Sequence, residues 1–343
     1  MTGERAQNGD GPGPRPHTTT SRRLVLATAA FAPLLAGAGP ARAAPASDGC
    51  RTADPCRKRL IHPAGTKESD WQGVIDTLDH RGRMGGEHVY RMGFLRHDLK
   101  VTSHGHRIIP SLGIGSFVSF VRYEDGRTML MGDMAVTEDE MQRVIDVLDA
   151  RGIAQTAIHK HMLAHEPAVW WMHVHGLHED ETVLADALRE ALAATGTPPP
   201  TGLPPTADVD LDTEGVDEAL GTRGGTEGQI YKITFARRET IVEHDRVLPR
   251  MTGATTAISF QPVGGGRAIV NGDFVITGAE MQHVIRALRR GRIDIVSIHS
   301  HMLHEEPRLF FLHFWGVDDA VRLARTLRTA VECTDVSPAG AHE

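Results

Sequence analysis

The sequence predicts an α+β fold, a tandem duplication of a domain with an antiparallel sheet and helices packed on one face. Three observations predict it: a long stretch recurs at an offset of 140 residues, capping boxes precede apolar 3.6-residue periods, and alternating apolar runs end at turn residues. Met131-Gly132-Asp133 recurs as Asn271-Gly272-Asp273, and Glu140-Met141-Gln142 as Glu280-Met281-Gln282. IHKHMLAHEPAVWWMHVHG from Ile158 recurs as IHSHMLHEEPRLFFLHFWG from Ile298. Upstream the offset drifts, Pro110 matching Pro249, as loops of unequal length require.

The chain divides accordingly. Residues 1–43 read as a signal peptide, 44–66 as a linker, 67–194 as repeat 1, 195–208 as a Pro-rich linker, 209–336 as repeat 2 and 337–343 as a tail. The leader has the pair Arg22 and Arg23, an apolar run from Leu24 to Gly39 and then Ala41-Arg42-Ala43. That run is too short for a membrane span and is followed by a small-residue cleavage site, so cleavage after Ala43 is expected. Ser21-Arg22-Arg23-Leu24 resembles a twin-arginine export signal. The expected localisation is exported, secreted or cell-envelope associated. The mature chain has no transmembrane span. An oxidising compartment would let Cys50 and Cys56 close a short loop and leave Cys333 over. Ser47-Asp48-Gly49 before Cys50 is no lipobox, which argues against lipidation.

Within repeat 1, strand-like runs at Phe117–Tyr123 and Thr128–Met134 join at Asp125-Gly126. Thr137 with Glu140 caps a helix whose Met141, Val144, Ile145 and Leu148 share one face. A hairpin over Thr156–Leu163 and Val169–Gly176 turns at Glu166-Pro167, and a helix over Glu181–Ala194 closes the copy. Repeat 2 gives strands at Thr256–Gln261 and Ala268–Val275, and a helix behind Thr277 and Glu280. A hairpin over Ile295–Leu303 and Leu309–Gly316 and a helix over Asp318–Val331 follow.

Composition narrows function. The 343 residues carry 37 Lys plus Arg against 44 Asp plus Glu, and loss of the leader leaves 32 against 42. This excludes nucleic acid as a partner, because phosphate binding needs a clustered basic surplus. No G-x-S-x-G elbow or Walker sequence occurs, and Gly264-Gly265-Gly266 precedes a strand, not a helix, so it is no phosphate loop.

Histidine carries the signal. Nine of the 20 His lie in the two hairpins. Side chains alternate along a strand, so His159 and His161 share a face, and a turn centred on Glu166 would set His173 opposite His159. The pattern His159, His161, Glu166, His173 repeats as His299, His301, Glu306, His313. Three imidazoles and a carboxylate suit a divalent or transition metal: Zn, Fe, Mn or Cu. The order also resembles the first metal motif of cupins, although interleaved helices do not suit a cupin barrel. Solvated strand histidines and a turn Glu that caps backbone amides are the competing explanation. His165 and His175 become Glu305 and Trp315, which makes them poor obligatory ligands. Asp133 and Asp273 read equally as bases or orienters of a ligating His and as residues managing a strand bend. Of Trp170, Trp171, Phe310, Phe311, Phe314 and Trp315, half are expected in a core and half along a pocket wall.

At these residues the chain resembles the LppY/LpqO family of exported bacterial proteins, with its H-x-H-[ML]-x-x-E-x-P…H-x-[HW]-G segment behind a G-D-x-x-[LV]-T-x-x-E helix. The resemblance covers both repeats and implies a family of unknown function. The missing lipobox departs from its lipoprotein members. Two functions remain open: an exported metal-binding protein with one or two His-rich sites, an oxidase, oxygenase or hydrolase of a small envelope or extracellular molecule; or a non-enzymatic envelope module that binds a ligand or partner.

Overall fold

The computed structural model describes residues 59–200 and 208–339. The expected leader and cleavage site, with Cys50 and Cys56, lie outside the described residues. Each repeat builds one antiparallel sheet and three helices. In repeat 1 the strands are β1 (Arg83–Gly85), β2 (Val89–Leu95), β3 (Gly115–Arg122), β4 (Thr128–Thr137), β5 (Ala154–His159) and β6 (Val169–His178), in spatial order β1-β2-β3-β4-β6-β5. The helices are α1 (Gln72–Leu78), α2 (Glu138–Ala150) and α3 (Glu181–Ala193). Repeat 2 copies them as β7 (Gly225–Glu227), β8 (Ile230–Arg237), β9 (Thr255–Gly264), β10 (Arg267–Ile276), β11 (Asp294–His299) and β12 (Phe310–Asp319), with α4 (Thr213–Leu220), α5 (Gly278–Arg290) and α6 (Ala320–Val331). A seventh strand, Val336–Pro338, pairs with β8. Among the described residues no helix is long and apolar enough to cross a membrane.

Each repeat thus adds an amino-terminal helix and two strands to the expected elements. α2 and α5 start at the expected capping boxes, the Thr137 and Thr277 amides donating to the Glu140 and Glu280 carboxylates at 2.9 and 2.7 Å. The same carboxylates meet a buried arginine. Arg96 binds Glu140 and Asp98, and Arg237 binds Glu280 and Glu239, so one charge arrangement anchors the helix start to the sheet in both copies.

Strand alternation separates two kinds of core. Along β12, Phe310, Leu312 and Phe314 face the helices of their own repeat, whereas Phe311 and Trp315 face the other sheet. Along β6, Trp170, Met172 and Val174 likewise face the helices, and Trp171 faces the other sheet. The layers are therefore helices, sheet, sheet, helices. The clusters between the sheets draw on both repeats and mirror each other: Met302, Leu309 and Phe311 pack with Met129 and Met131, while Met162, Val169 and Trp171 pack with Ile269 and Trp315. This is pseudo-two-fold symmetry. Burying such side chains contributes about 1.5–3 kcal/mol each, so the two repeats share a core instead of standing as beads on the linker.

Small three-stranded sheets clasp the halves. Thr102–Ser103 pairs with His106–Arg107 and with His165–Glu166, and Val242–Glu243 pairs with Arg246–Val247 and Glu305–Glu306. From the first of these, the Ile109 amide donates to Gln261 and the Arg107 carbonyl accepts from it, at 3.1 and 2.8 Å. From the second, the Val247 carbonyl accepts from Tyr123 and Arg246 pairs with Asp125.

The register of the His hairpin differs from the expected one. His159 stands opposite Trp171, and His173 opposite Ala157. Two physical causes account for this. A bulge between Gln155 and Ala157 leaves Thr156 unpaired, and β5 stops at His159 because His165–Glu166 leaves the hairpin to pair with Thr102–Ser103. In β11 the corresponding bulge lies between Ile295 and Ser297.

Candidate metal centre

The pseudo-axis passes through the histidines. His159 and His299, the last residues of β5 and β11, stack face to face with ring centroids 3.6 Å apart. Around this pair, His301 stacks on His173 at 3.7 Å and His161 on His313 at 4.2 Å, two contacts related by exchange of the repeats. The six imidazoles form one cluster between the sheets, each half of it contributed by one repeat.

Backbone and side-chain bonds across the interface fix the two loops. The Thr156 hydroxyl donates to the His301 carbonyl at 2.6 Å, the Ser297 hydroxyl to the Lys160 carbonyl at 2.8 Å, and the Asn271 amide to the His161 carbonyl at 2.5 Å. His161 lies flat on Trp171, at 4.2 Å, and His301 beside Phe311, at 5.0 Å. Trp171 is itself held by donation to the Gly113 carbonyl. Gly132 and Gly272 let β4 and β10 approach their neighbours: a Cβ at Gly132 would lie 2.7 Å from the Phe117 carbonyl oxygen, and one at Gly272 1.9 Å from that of Ala257. This close approach sets Asp133 and Asp273 in register with His173 and His313.

The electrostatics favour neutral rings. Burial, and then the neighbouring imidazoles, push His159, His173, His301 and His313 well below the usual imidazole value, and burial brings His299 down to about 4. Deprotonated ring nitrogens are therefore present at neutral pH, with the Nε2 atoms of His159 and His161 meeting each other at 2.9 Å. The His299 Nδ1 meets the Ser300 carbonyl at 2.9 Å and the His173 Nδ1 meets that of Gly132 at 3.4 Å, which directs the proton to Nδ1 and the lone pair to Nε2. Those Nε2 atoms, with Nδ1 of His159, His301 and His313, are buried without a hydrogen-bond partner. Asp133 reaches His161 at 3.1 Å and His173 at 3.8 Å, and its Oδ1 also lacks a hydrogen-bond partner. Asp273 is held up to about 7, first by burial and then by the Asp133 charge. Two triads bring one ligand atom per residue within 4.8 Å of one another: His159, His299 and His313, and Asp133, His159 and His161. His159 belongs to both.

Of the residues singled out from sequence, the structure brings together all six motif histidines and Asp133. Glu166 and Glu306 are exposed on their short strands and belong to neither triad. His165 serves the turn, its Nδ1 meeting the Met162 carbonyl and its Nε2 accepting from the Val169 amide. His175, brought down to about 4 mainly by burial, lies 5.7 Å from His301.

A cavity of about 400 Å³ opens beside the cluster, with His161, His173, His301, His313, Asp133 and Asp273 in its wall. Its far side carries Arg91 and Lys232, which the sequence reading passed over. A signal existed, since Tyr90-Arg91-Met92 and Tyr231-Lys232-Ile233 put a basic residue between apolar ones in corresponding strands.

No curated protein matches the sequence. One solved structure, described as the double ringed trimeric shell protein from the RMM microcompartment, aligns over 60% of this chain and 82% of its own at 14% identity. Its TM-score is 0.17, too low to carry any inference. One family, described as "Domain of Unknown Function (DUF1259)", matches twice, over residues 72–194 and 214–333. Those two spans are the two halves whose histidines meet on the pseudo-axis, and the chain belongs to that family.

Proposed function

We propose that the protein binds a divalent or transition metal ion (Zn, Fe, Mn or Cu) at the six-histidine cluster and acts as a metalloenzyme on a small molecule that enters the adjoining cavity. The observation that supports this reading is the set of buried imidazole nitrogens and the Asp133 oxygen with no partner in the protein. Each such atom costs about 1–3 kcal/mol when left unsatisfied, and both repeats contribute such atoms to one cluster. Three or more neutral imidazoles with one carboxylate match the donor preference of these ions. His159, in both triads, would be held whichever triad takes the ion.

A bound ion would supply Lewis-acid polarisation or redox chemistry. The chain's own residues supply the rest. Ser300 and Gly132 carbonyls orient His299 and His173, Asp133 orients His161, and Asp273 presents a carboxyl that holds a proton near neutrality at the cavity wall. The test is elemental analysis of full-length protein purified without an affinity tag. About one equivalent or more of metal per chain is expected, with His159→Ala abolishing it. Protein that takes up none of the four metals at micromolar excess overturns the reading.

The cellular setting belongs to the same proposal. An LppY/LpqO-type protein exported by the twin-arginine route and cleaved after Ala43 would begin at Ala44, which mass spectrometry of the secreted chain checks. Undiminished export of the paired Arg22→Lys, Arg23→Lys variant would remove the twin-arginine part.

A further inference from the structure

The cavity has a second chemical end. Beyond the histidines its wall carries Arg81, Arg83, Arg91 and Lys232 against one carboxylate, Glu227, and the charge of Lys232 also reaches Asp273. Arg91 on β2 and Lys232 on β8 occupy corresponding positions, Arg91 opposite Ser119 and Lys232 opposite Ser259, so each repeat sends one cation into the shared space. Glu227 is engaged already, by Lys232 at 3.4 Å and Arg83 at 3.5 Å. The Arg91 guanidinium has neither a hydrogen bond nor an ion pair, and only the charges of Arg83 and Glu227 act on it at longer range.

A guanidinium stays charged at any working pH and offers five N–H donors in a plane that matches an oxyanion edge. Its partial burial lowers the pKa, a mark of the cost of holding the charge there unpaired. Around the histidines the wall carries Asp133, Asp273 and imidazoles, so without a metal that end offers an anion no fixed positive charge, and only the end with Arg91 and Lys232 does. β3 and β4 separate β2 from β6, and the register sets Arg91 in one row with Ser119, Met131 and His175, so at about 4.8 Å per strand the backbones of Arg91 and His175 lie about 14 Å apart across the sheet, with His173 two residues further along β6. The long Arg91 side chain leaves room between for a few non-hydrogen atoms.

The geometry points to a small organic oxyanion, a carboxylate or phosphate ester, as the ligand of this cavity, with its anionic group on Arg91 and Lys232 and its uncharged end at the imidazole cluster. This rests on the cavity being the substrate space of the proposed metal centre, but the anion site itself needs no metal.

The test uses full-length protein, metal-loaded and chelator-treated, titrated calorimetrically with succinate, glycerol 3-phosphate and inorganic phosphate against neutral succinamide. At least one anion binds and succinamide does not; Arg91→Gln weakens the anion tenfold or more, Arg91→Lys recovers part, and metal content is the same in both variants. Should Arg91→Gln fail to fold, Lys232→Gln gives the same loss. Succinate and phosphate arms separate carboxylate from phosphate recognition. Anion binding to protein without metal sustains this inference even if the metal reading fails. Anions no better than succinamide, or unchanged affinity in folded Arg91→Gln and Lys232→Gln, overturn it.

Discussion

In repeat 1 the strand Thr102–Ser103 lies against His165–Glu166, and in repeat 2 Val242–Glu243 lies against Glu305–Glu306. The loop between His-x-His and the next strand is locked the same way in both, by a side chain that accepts the amide four residues on: His165 Nε2 from Val169 at 3.0 Å, Glu305 Oε1 from Leu309 at 2.9 Å. The chemistry behind the lock differs. Ser103 faces His165 and donates to the Leu163 carbonyl, a neutral arrangement, whereas Glu243 faces Glu305, a buried pair of carboxyl groups steadied on one side by Arg308. The six central histidines show no such freedom. Where the job is to satisfy one amide, different side chains serve; where lone pairs must converge, the residue type is the same in both halves.

The largest expected effect tests that contrast. His159→Ala, which strikes both triads, should weaken metal binding at least 100-fold, while His165→Ala should leave metal content unchanged although the two lie six residues apart. Full metal in His159→Ala, or loss of metal in His165→Ala, would erase the distinction between converging and turn-locking histidines.

Next come the paired arginines. Arg96→Met and Arg237→Met each remove a buried cation from two carboxylates, one largely buried and one part-exposed, at a cost of about 3 kcal/mol in urea unfolding. Equal costs are expected because the two arrangements superpose in their partners. A difference beyond about 1 kcal/mol would show that the halves are not equivalent in stability.

The locks themselves are worth less. His165→Ala leaves the buried Val169 amide without its acceptor, a loss of about 1–3 kcal/mol. Glu305→Gln keeps an acceptor for Leu309, and its loss of a half-exposed pair with Arg308 is offset by removal of the like charge facing Glu243, so a net change within about 0.5 kcal/mol is expected. The reverse ranking would mean that charge, not the amide bond, holds the loop.

The last expected effect is a slope with pH. Burial first, then the Glu305 charge, raises the Glu243 carboxyl to about 7 in the folded chain from an ordinary value of 4.5. The folded state therefore holds this proton more tightly, so its contribution to stability is full below about pH 4.5, falls as pH rises towards 7 and then levels. Glu243→Ser, which installs the repeat 1 residue, should remove this part of the slope, read as the difference between variant and wild-type urea midpoints at pH 5 and 7.5. Parallel curves for the two proteins would count against a protonated Glu243.

Much of the fold lies in local pattern. Thr137 with Glu140, Thr277 with Glu280, and the alternation along Val169–His178 and Phe310–Asp319 depend on residues a few positions apart, so helix starts and strand faces follow from the chain itself. The duplication told that whatever one hairpin does, the other repeats. It also marked the histidines, since identity was kept there while His165 and His175 drifted to Glu305 and Trp315.

Convergence was a different matter. Strand spacing alone placed three imidazoles and a turn carboxylate within each hairpin, but the bulge beside Thr156 and the departure of His165–Glu166 to another sheet reset the register and left Glu166 outside. Which rings meet then depends on how two sheets pack face to face, an interaction between residues about 140 positions apart that no periodicity encodes. His159 meets His299 because Trp171, Phe311 and their neighbours exclude water between the sheets and bring the two strand ends onto one axis. The sequence determined the parts and their pairing by repeat; only the packing of the two sheets decided that the histidines of both halves make one centre and that Arg91 and Lys232 share its cavity.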